Sequence, residues 1–117
     1  MAIDRNRLGR EAEQQAVLHL QRAGYEIVLR NFRCRMGELD IVARRRDVLV
    51  IAEVRLRSRL EFGDAAASLT ARKRARIVRA VRYLLCCQPP LARLTIRFDA
   101  LLMDAAGGPI LWIQDAF

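Results

Sequence analysis

Residues 37–57 constrain the fold more than any other stretch: Gly-Glu-Leu-Asp-Ile-Val-Ala-Arg-Arg-Arg-Asp-Val-Leu-Val-Ile-Ala-Glu-Val-Arg-Leu-Arg. They read as two strands joined by a tight charged turn. Leu39, Ile41 and Ala43 alternate with Glu38, Asp40 and Val42, so the first strand starts with one apolar and one polar face. Arg44-Arg45-Arg46-Asp47 reads as the turn. Val48 to Ala52 is apolar on both faces, which predicts a strand inside a sheet covered on both sides. Glu53 and Arg55 close that strand two residues apart, hence on one face.

Folding this hairpin about the Arg45–Arg46 bond sets Glu38 opposite Glu53 and Asp40 opposite Ile51, with a slip along the strand still open. Asp40, Glu53 and the Arg55 guanidinium then converge at the polar end of an apolar hairpin. Carboxylates this close repel unless something compensates them. A divalent cation is the simplest compensation, because hard cations take oxygen ligands. An exposed strand end with an Arg55–Glu53 or Arg55–Glu38 ion pair is the alternative.

Around the hairpin, residues 5–23 predict a helix with Leu8, Ala12, Ala16 and Leu20 along one stripe and Gly24 as its stop. On this periodicity Glu13, at the edge of the stripe, reads as a solvated glutamate. A strand follows over 25–34, and Arg30, Arg33 and Arg35 cluster just before the hairpin. Residues 58–69 read as a loop packed on the sheet. Thr70 is a good N-cap for a second helix over 71–87. There Ile77, Val78, Val81, Leu84 and Leu85 form a core arc opposite Arg72, Arg76, Arg79 and Arg82. Pro89-Pro90 ends that helix. Alternation over 93–103, a turn over 104–109 and the apolar run 110–113 predict two more strands. The resulting order is an α/β layer in which the second helix crosses over between strands of a mixed sheet.

Length and composition bound the class. The 117 residues, 53% hydrophobic and 29% charged, suit one globular domain over 1–117. No apolar run is long enough for a membrane span, and the first residues lack the apolar core of a signal peptide, so a cytoplasmic protein is expected. Three cysteines (Cys34, Cys86, Cys87) without a Cys-x-x-Cys pair predict reduced thiols rather than a zinc site. His19 is the single histidine, which excludes Ser-His-Asp triads and His-rich metal sites.

The net charge of +8, from 21 basic residues against 13 acidic, points to a polyanionic partner, most simply nucleic acid. Lys73 is the only lysine; coding bias accounts for arginine over lysine better than for the surplus of positive charge. Four arginines on one helical face with no interleaved acid repel one another, and a phosphate backbone relieves that repulsion.

Several short motifs occur together. They are Gly24-Tyr25 followed by Arg30-Asn31, Gly37-Glu38-Leu39-Asp40, Glu53-Val54-Arg55 with Arg57, Phe62-Gly63, Lys73, Arg97-Phe98-Asp99 and the terminal Ala116-Phe117. In this combination the chain resembles the YraN family of small bacterial proteins, which is similar to archaeal Holliday junction resolvases. That group belongs to the restriction-endonuclease-like superfamily, whose signature is an Asp followed by Glu-x-Lys on the next strand. The resemblance implies a three-layer α/β restriction-endonuclease-like fold, with a mixed five-stranded sheet flanked by helices.

It further implies an endonuclease that hydrolyses phosphodiester bonds in DNA, including branched or structured DNA, with Mg²⁺ or Mn²⁺ as cofactor. The implied metal ligands are Asp40, Glu53, the main-chain carbonyl of Val54 and Glu13, with Glu38 as a secondary candidate. The implied catalytic residues are Asp40, Glu53 and Arg55. Arg44, Arg45, Arg46, Arg57, Arg72, Lys73, Arg76 and Arg79 are the expected nucleic-acid contacts, and a symmetric homodimer is the expected assembly for junctions. Arg55 departs from the superfamily pattern, which has lysine there. Arginine clamps phosphate but does not act as a base, so the same fold serving nucleic-acid binding without catalysis is the alternative.

Overall fold

The computed structural model describes residues 5–57, 70–104 and 108–117. The expected loop over 58–69, with Phe62-Gly63, and residues 105–107 of the expected turn lie outside the described residues.

The first helix, α1 (Arg5–Arg22), buries Ala12, Ala16, Val17 and Leu20, the one-face spacing of an amphipathic helix. It ends where the Gly24 amide donates to the Gln21 carbonyl at 3.0 Å and Gly24 turns left-handed at φ 91°. A side chain at that φ is strained, so the stop belongs to glycine.

Four strands follow in sheet order: β1 (Glu26–Cys34), β2 (Gly37–Arg45), β3 (Val48–Arg57) and β4 (Thr95–Asp104). A short β5 (Leu111–Ile113) completes the five-stranded sheet beyond β4. The β1–β2, β2–β3 and β4–β5 pairs are antiparallel, and β3–β4 is parallel. A parallel pair needs a crossover, and α2 (Ala71–Cys87) lies within it. The Thr70 side chain caps α2 by accepting from the Lys73 amide at 3.2 Å. Pro89-Pro90 does more than end the helix: Pro89–Arg93 forms a 3-10 turn that buries Leu91.

The two helices cover opposite faces of the sheet. Ala12, Ala16, Val17 and Leu20 of α1 pack on Ile41, Ala43, Val50, Ala52 and Leu101. Ile77, Ala80, Val81 and Leu84 of α2 pack on Val42, Leu49 and Ile51. β3 therefore sends alternate residues into two cores, which is why its sequence is apolar from Val48 to Ala52. The architecture is α/β, a mixed five-stranded sheet between helices in three layers.

The hairpin register differs from the sequence-based one. Arg44 and Arg45 belong to β2, the turn is Arg46-Asp47, and the ladder runs from Arg45↔Val48 to Ile41↔Ala52. Ile51 faces Val42 rather than Asp40. The cause is Arg46, which takes a left-handed φ of 55° and so closes a two-residue turn. The Arg44 Nε donates to its carbonyl at 2.9 Å. No periodicity argument reveals a positive φ at arginine.

A second buried feature ties the far side of the sheet together. Asp99 on β4 is fully buried and accepts four hydrogen bonds. Arg97 supplies Nε at 2.9 Å and Nη2 at 2.8 Å, Trp112 Nε1 donates at 2.9 Å, and the Asp115 amide at 3.0 Å. Arg97 Nη2 also donates to the Tyr25 hydroxyl at 2.9 Å, linking β4 to the start of β1. No described helix is long and apolar enough to cross a membrane.

Candidate metal centre and nucleic-acid interface

The backbone of β1 and β2 kinks at one level, and the kink places Asp40. On β1, Arg30 reaches Glu13 of α1, yet Phe32 packs in the core under α2, so strict alternation fails at Asn31. Asn31 has a left-handed φ of 53°. On β2 the same happens: Ile41 lies in the core under α1 and Leu39 in the core under α2. Asp40, between them, reaches sideways along the sheet. Its Oδ2 accepts from the Val54 amide of β3 at 2.9 Å, just beyond the last ladder pair, Ile41↔Ala52. The carboxylate thus stands where a main-chain carbonyl would otherwise continue the ladder, and the Val54 N–H is satisfied while the strands part.

Glu53 sits beside this opening, and the Asp40 and Glu53 carboxyls come close enough to share a hydrogen bond. Burial, then the charge of Asp40, push the Glu53 carboxyl up to about 8; Arg55 and Lys73 pull the other way. Asp40 is raised as well, first by burial, against the opposing Val54 hydrogen bond, and further by the charges of Glu13 and Glu38. Two half-buried carboxyls that resist ionising together form a site short of positive charge.

Glu13 belongs to this neighbourhood, which its helical periodicity did not suggest. Its Oε1 is buried without a hydrogen-bond partner among the described residues, and its ion pair with the Arg30 Nε is long at 3.6 Å. Glu13, Glu38, Asp40 and Val54 line one cleft of about 610 Å³, with Arg10 and Arg33. Glu38 is exposed, and its ion pair with Arg33 is long at 3.8 Å. Arg55 lies on the Glu53 face of β3, and its Nε and Nη2 are buried with no hydrogen-bond partner among the described residues. Arg57 ends β3; its side chain lies outside the described ones.

Among the described residues, no three carboxylate, thiol or imidazole groups gather tightly enough to cage a metal ion. The oxygens of Asp40 and Glu53 fit a different mode. Mg²⁺ keeps several waters and is commonly held by one or two carboxylates together with substrate phosphates. The proton retained by the pair and the partnerless Oε1 of Glu13 are what such a hydrated ion would relieve.

The expected backbone-binding arginines fall into two groups. Arg44 and Arg45 at the other end of β2 from Asp40, and Arg46 just past it, lie about 13–20 Å away along an extended strand. There Arg45 stacks over the Tyr25 ring at 5.8 Å. The structure does not bring these three to the carboxylates. Arg72, Arg76 and Arg79 of α2 are exposed and line a second cleft of about 640 Å³ with Arg35 and Met36. Lys73 sits in the first turn of the same helix.

Arg35 is a residue that sequence reasoning left unassigned. The available signal was Gly37: a Cβ there would come within 3.0 Å of the Arg76 carbonyl oxygen. That backbone approach lays α2 directly against the β1–β2 turn. The acidic and basic clefts therefore flank one turn, with Arg33 and Glu38 lining the first and Arg35 and Met36 the second.

Comparison with known proteins agrees with the motif pattern. The family described as "Uncharacterised protein family UPF0102" matches residues 12–103. A UPF0102 protein of Dechloromonas aromatica (strain RCB) is 49% identical over 109 residues, covering 93% of this chain and 87% of that protein. UPF0102 protein NE0711 of Nitrosomonas europaea is 42% identical over 111 residues, covering 93% and 92%. UPF0102 protein Pfl01_4685 of Pseudomonas fluorescens (strain Pf0-1) is 37% identical over 116 residues, covering 97% of each chain. With its central strands, both carboxylate positions and the basic helix all inside the matched span, the chain belongs to the UPF0102, or YraN, family.

Proposed function

We propose that this protein is a metal-dependent nuclease that hydrolyses phosphodiester bonds in DNA, including branched or structured DNA. The observation that carries the reading is the Asp40–Glu53 pair at the parting of β2 and β3, both raised first by burial, Glu53 further by the charge of Asp40 and Asp40 by the charges of Glu13 and Glu38. Asp40 and Glu53 would hold Mg²⁺ or Mn²⁺, with the Val54 carbonyl, Glu13 and Glu38 at the margin. When bound, the ion supplies charge neutralisation at the phosphate and a water of lowered pKa.

The chain's own groups supply the rest. Arg55 presents two buried N–H-bearing nitrogens, a fork suited to a phosphate oxygen. Arg35, Arg72, Arg76 and Arg79 hold the backbone beside the cut. Arg44, Arg45 and Arg46 contact a more distant stretch. The protein acts in the cytoplasm, where its free cysteines stay reduced. A homodimer supplies the two sites that cutting both strands of a junction requires.

A second reading, nucleic-acid binding without catalysis, is favoured by arginine standing at position 55. Cleavage of labelled linear, flapped and four-way-junction DNA separates the two. Wild type, D40A and E53A are compared with Mg²⁺, with Mn²⁺ and with chelator. Metal-dependent cutting lost in both variants is the expected result. Salt-dependent binding without cutting, unrestored by R55K, replaces the nuclease with the binding module.

A further inference from the structure

We propose that Lys73 is a catalytic residue rather than one more backbone contact: its ammonium meets the scissile phosphate beside Glu53 and takes up the place left by arginine at position 55. The inference rests on the nuclease reading above and deepens it.

Position on α2 separates Lys73 from the arginines of the same helix. Ile77 is buried in the core that also holds Ile51. Lys73 lies one turn before Ile77, on the same stripe, whereas Arg72, Arg76 and Arg79 line the outer cleft. α2 packs on β2 and lies in the crossover from β3 to the parallel β4, which sets its N-terminal turn toward the C-terminal end of that parallel pair. One helical turn back from Ile77 is about 5.4 Å, and two residues on from Ile51 along β3 is about 6.6 Å. The residue met there is Glu53. Helical side chains also lean toward the helix N-terminus, which carries the Lys73 stem further toward Glu53 and Arg55. Lys73 is near enough for its charge to act at Glu53.

The chemistry of the two cations then divides. Arg55 is anchored with buried nitrogens. Lys73 is exposed, on a flexible four-carbon stem with three donors, and can follow a phosphate as it changes shape. In hydrolysis a water oxygen bonds to phosphorus and the bond from phosphorus to one sugar oxygen breaks. The water loses a proton to solvent and the departing oxygen gains one from solvent. Lys73 donates hydrogen bonds to a non-bridging oxygen as negative charge builds there, and is unchanged at the end.

The test splits rate from binding in the full chain. Single-turnover cleavage with Mg²⁺ and DNA affinity in chelator are measured for wild type, K73M, K73R and R76A. K73M is expected to lose about 100- to 1000-fold in the bound-state rate, the scale of removing one aimed donor, with affinity changed less than about threefold. K73R retains part of the rate. R76A shows the reverse order, a larger loss of affinity and a smaller loss of bound-state rate than K73M. A K73M protein that binds weakly but cuts at the wild-type rate once saturated overturns the proposal.

A second measurement needs no cutting. DNA affinity in chelator is compared for wild type, K73M, E53Q and the double variant, with R76A and R76A/E53Q as control. Coupling between Lys73 and Glu53, absent for Arg76, supports the placement; additive effects overturn it. A wild type that cuts nothing removes the catalytic role together with the nuclease reading, and the coupling then decides whether Lys73 still sits at the phosphate beside Glu53.

Discussion

Two acidic sites lie on neighbouring strands, and they are built in opposite ways. Asp99 on β4 is fully buried and accepts four hydrogen bonds, two of them from Arg97. Asp40 and Glu53, on β2 and β3, are half-buried and raised first by burial and then by neighbouring carboxylates, and among the described residues the backbone donor they receive is the Val54 amide. Ala52, next to Glu53 in sequence, pairs directly with Asp99 in the ladder. The contrast is therefore one of construction over one strand spacing, not of location. A carboxylate whose donors are all supplied by the fold serves the fold. A pair left short of donors and of charge is kept for something that arrives.

The largest effect that can break this contrast is at Asp99. D99N leaves Arg97 without its ion-pair partner inside the knot and is expected to cost about 3–5 kcal/mol in urea unfolding. A loss below about 1 kcal/mol would place Asp99 and Asp40 in the same class. The next effect follows from the nuclease reading. Mg²⁺ at a hundred times its dissociation constant should raise wild-type stability by about 2.7 kcal/mol and leave E53Q unmoved; an equal response in both proteins removes Glu53 from the metal site.

Glu53 itself gives a pH signature with the opposite sign to a structural carboxylate. Its folded-state carboxyl is raised to about 8 from an ordinary 4.5. It therefore contributes stability below about pH 4.5 that is lost as pH rises toward 8. Metal-free wild type should lose thermal stability across that window, and E53Q should flatten the loss and gain about 1–2 kcal/mol at pH 7. A wild-type curve flat from pH 4.5 to 8 would show that the pair is not strained by its own charge. The smallest effect sharpens the comparison from the other side. Y25F removes one donor-acceptor contact from the Asp99 network and should cost about 1 kcal/mol in the same unfolding measurement, with no change in metal response.

Much of this was legible in the sequence, for identifiable reasons. Thr70 and Gly24 act through local backbone chemistry, so α2 and the end of α1 fall where their caps put them. β3 reads as doubly buried because it is apolar at every position from Val48 to Ala52. What periodicity misses is wherever the backbone leaves its ordinary wells. Arg46 shifts the hairpin register, and Asn31 breaks the alternation that assigns faces. Asp40 consequently reaches along the sheet, which no face-counting argument predicts. Glu13 was implied by the family resemblance but hidden from periodicity for a different reason: its neighbours on the helix are ordinary, and tertiary placement brings its carboxylate to the cleft. The Arg97-Phe98-Asp99 motif was visible as a pattern, but its knot depends on Trp112 and Asp115, contributed from far along the chain.

The bare Cα of Gly37 has a geometric meaning beyond packing. Because it lets the Arg76 carbonyl come against the start of β2, the helix carrying the basic cleft and the strand carrying Asp40 share a backbone contact. On the proposed function, the span between a phosphate held by α2 and one at the carboxylates would be set by main chain, like the fixed jaw of a gauge. Exchanging arginines changes how hard the gauge grips. A methyl group at position 37 changes the length it measures.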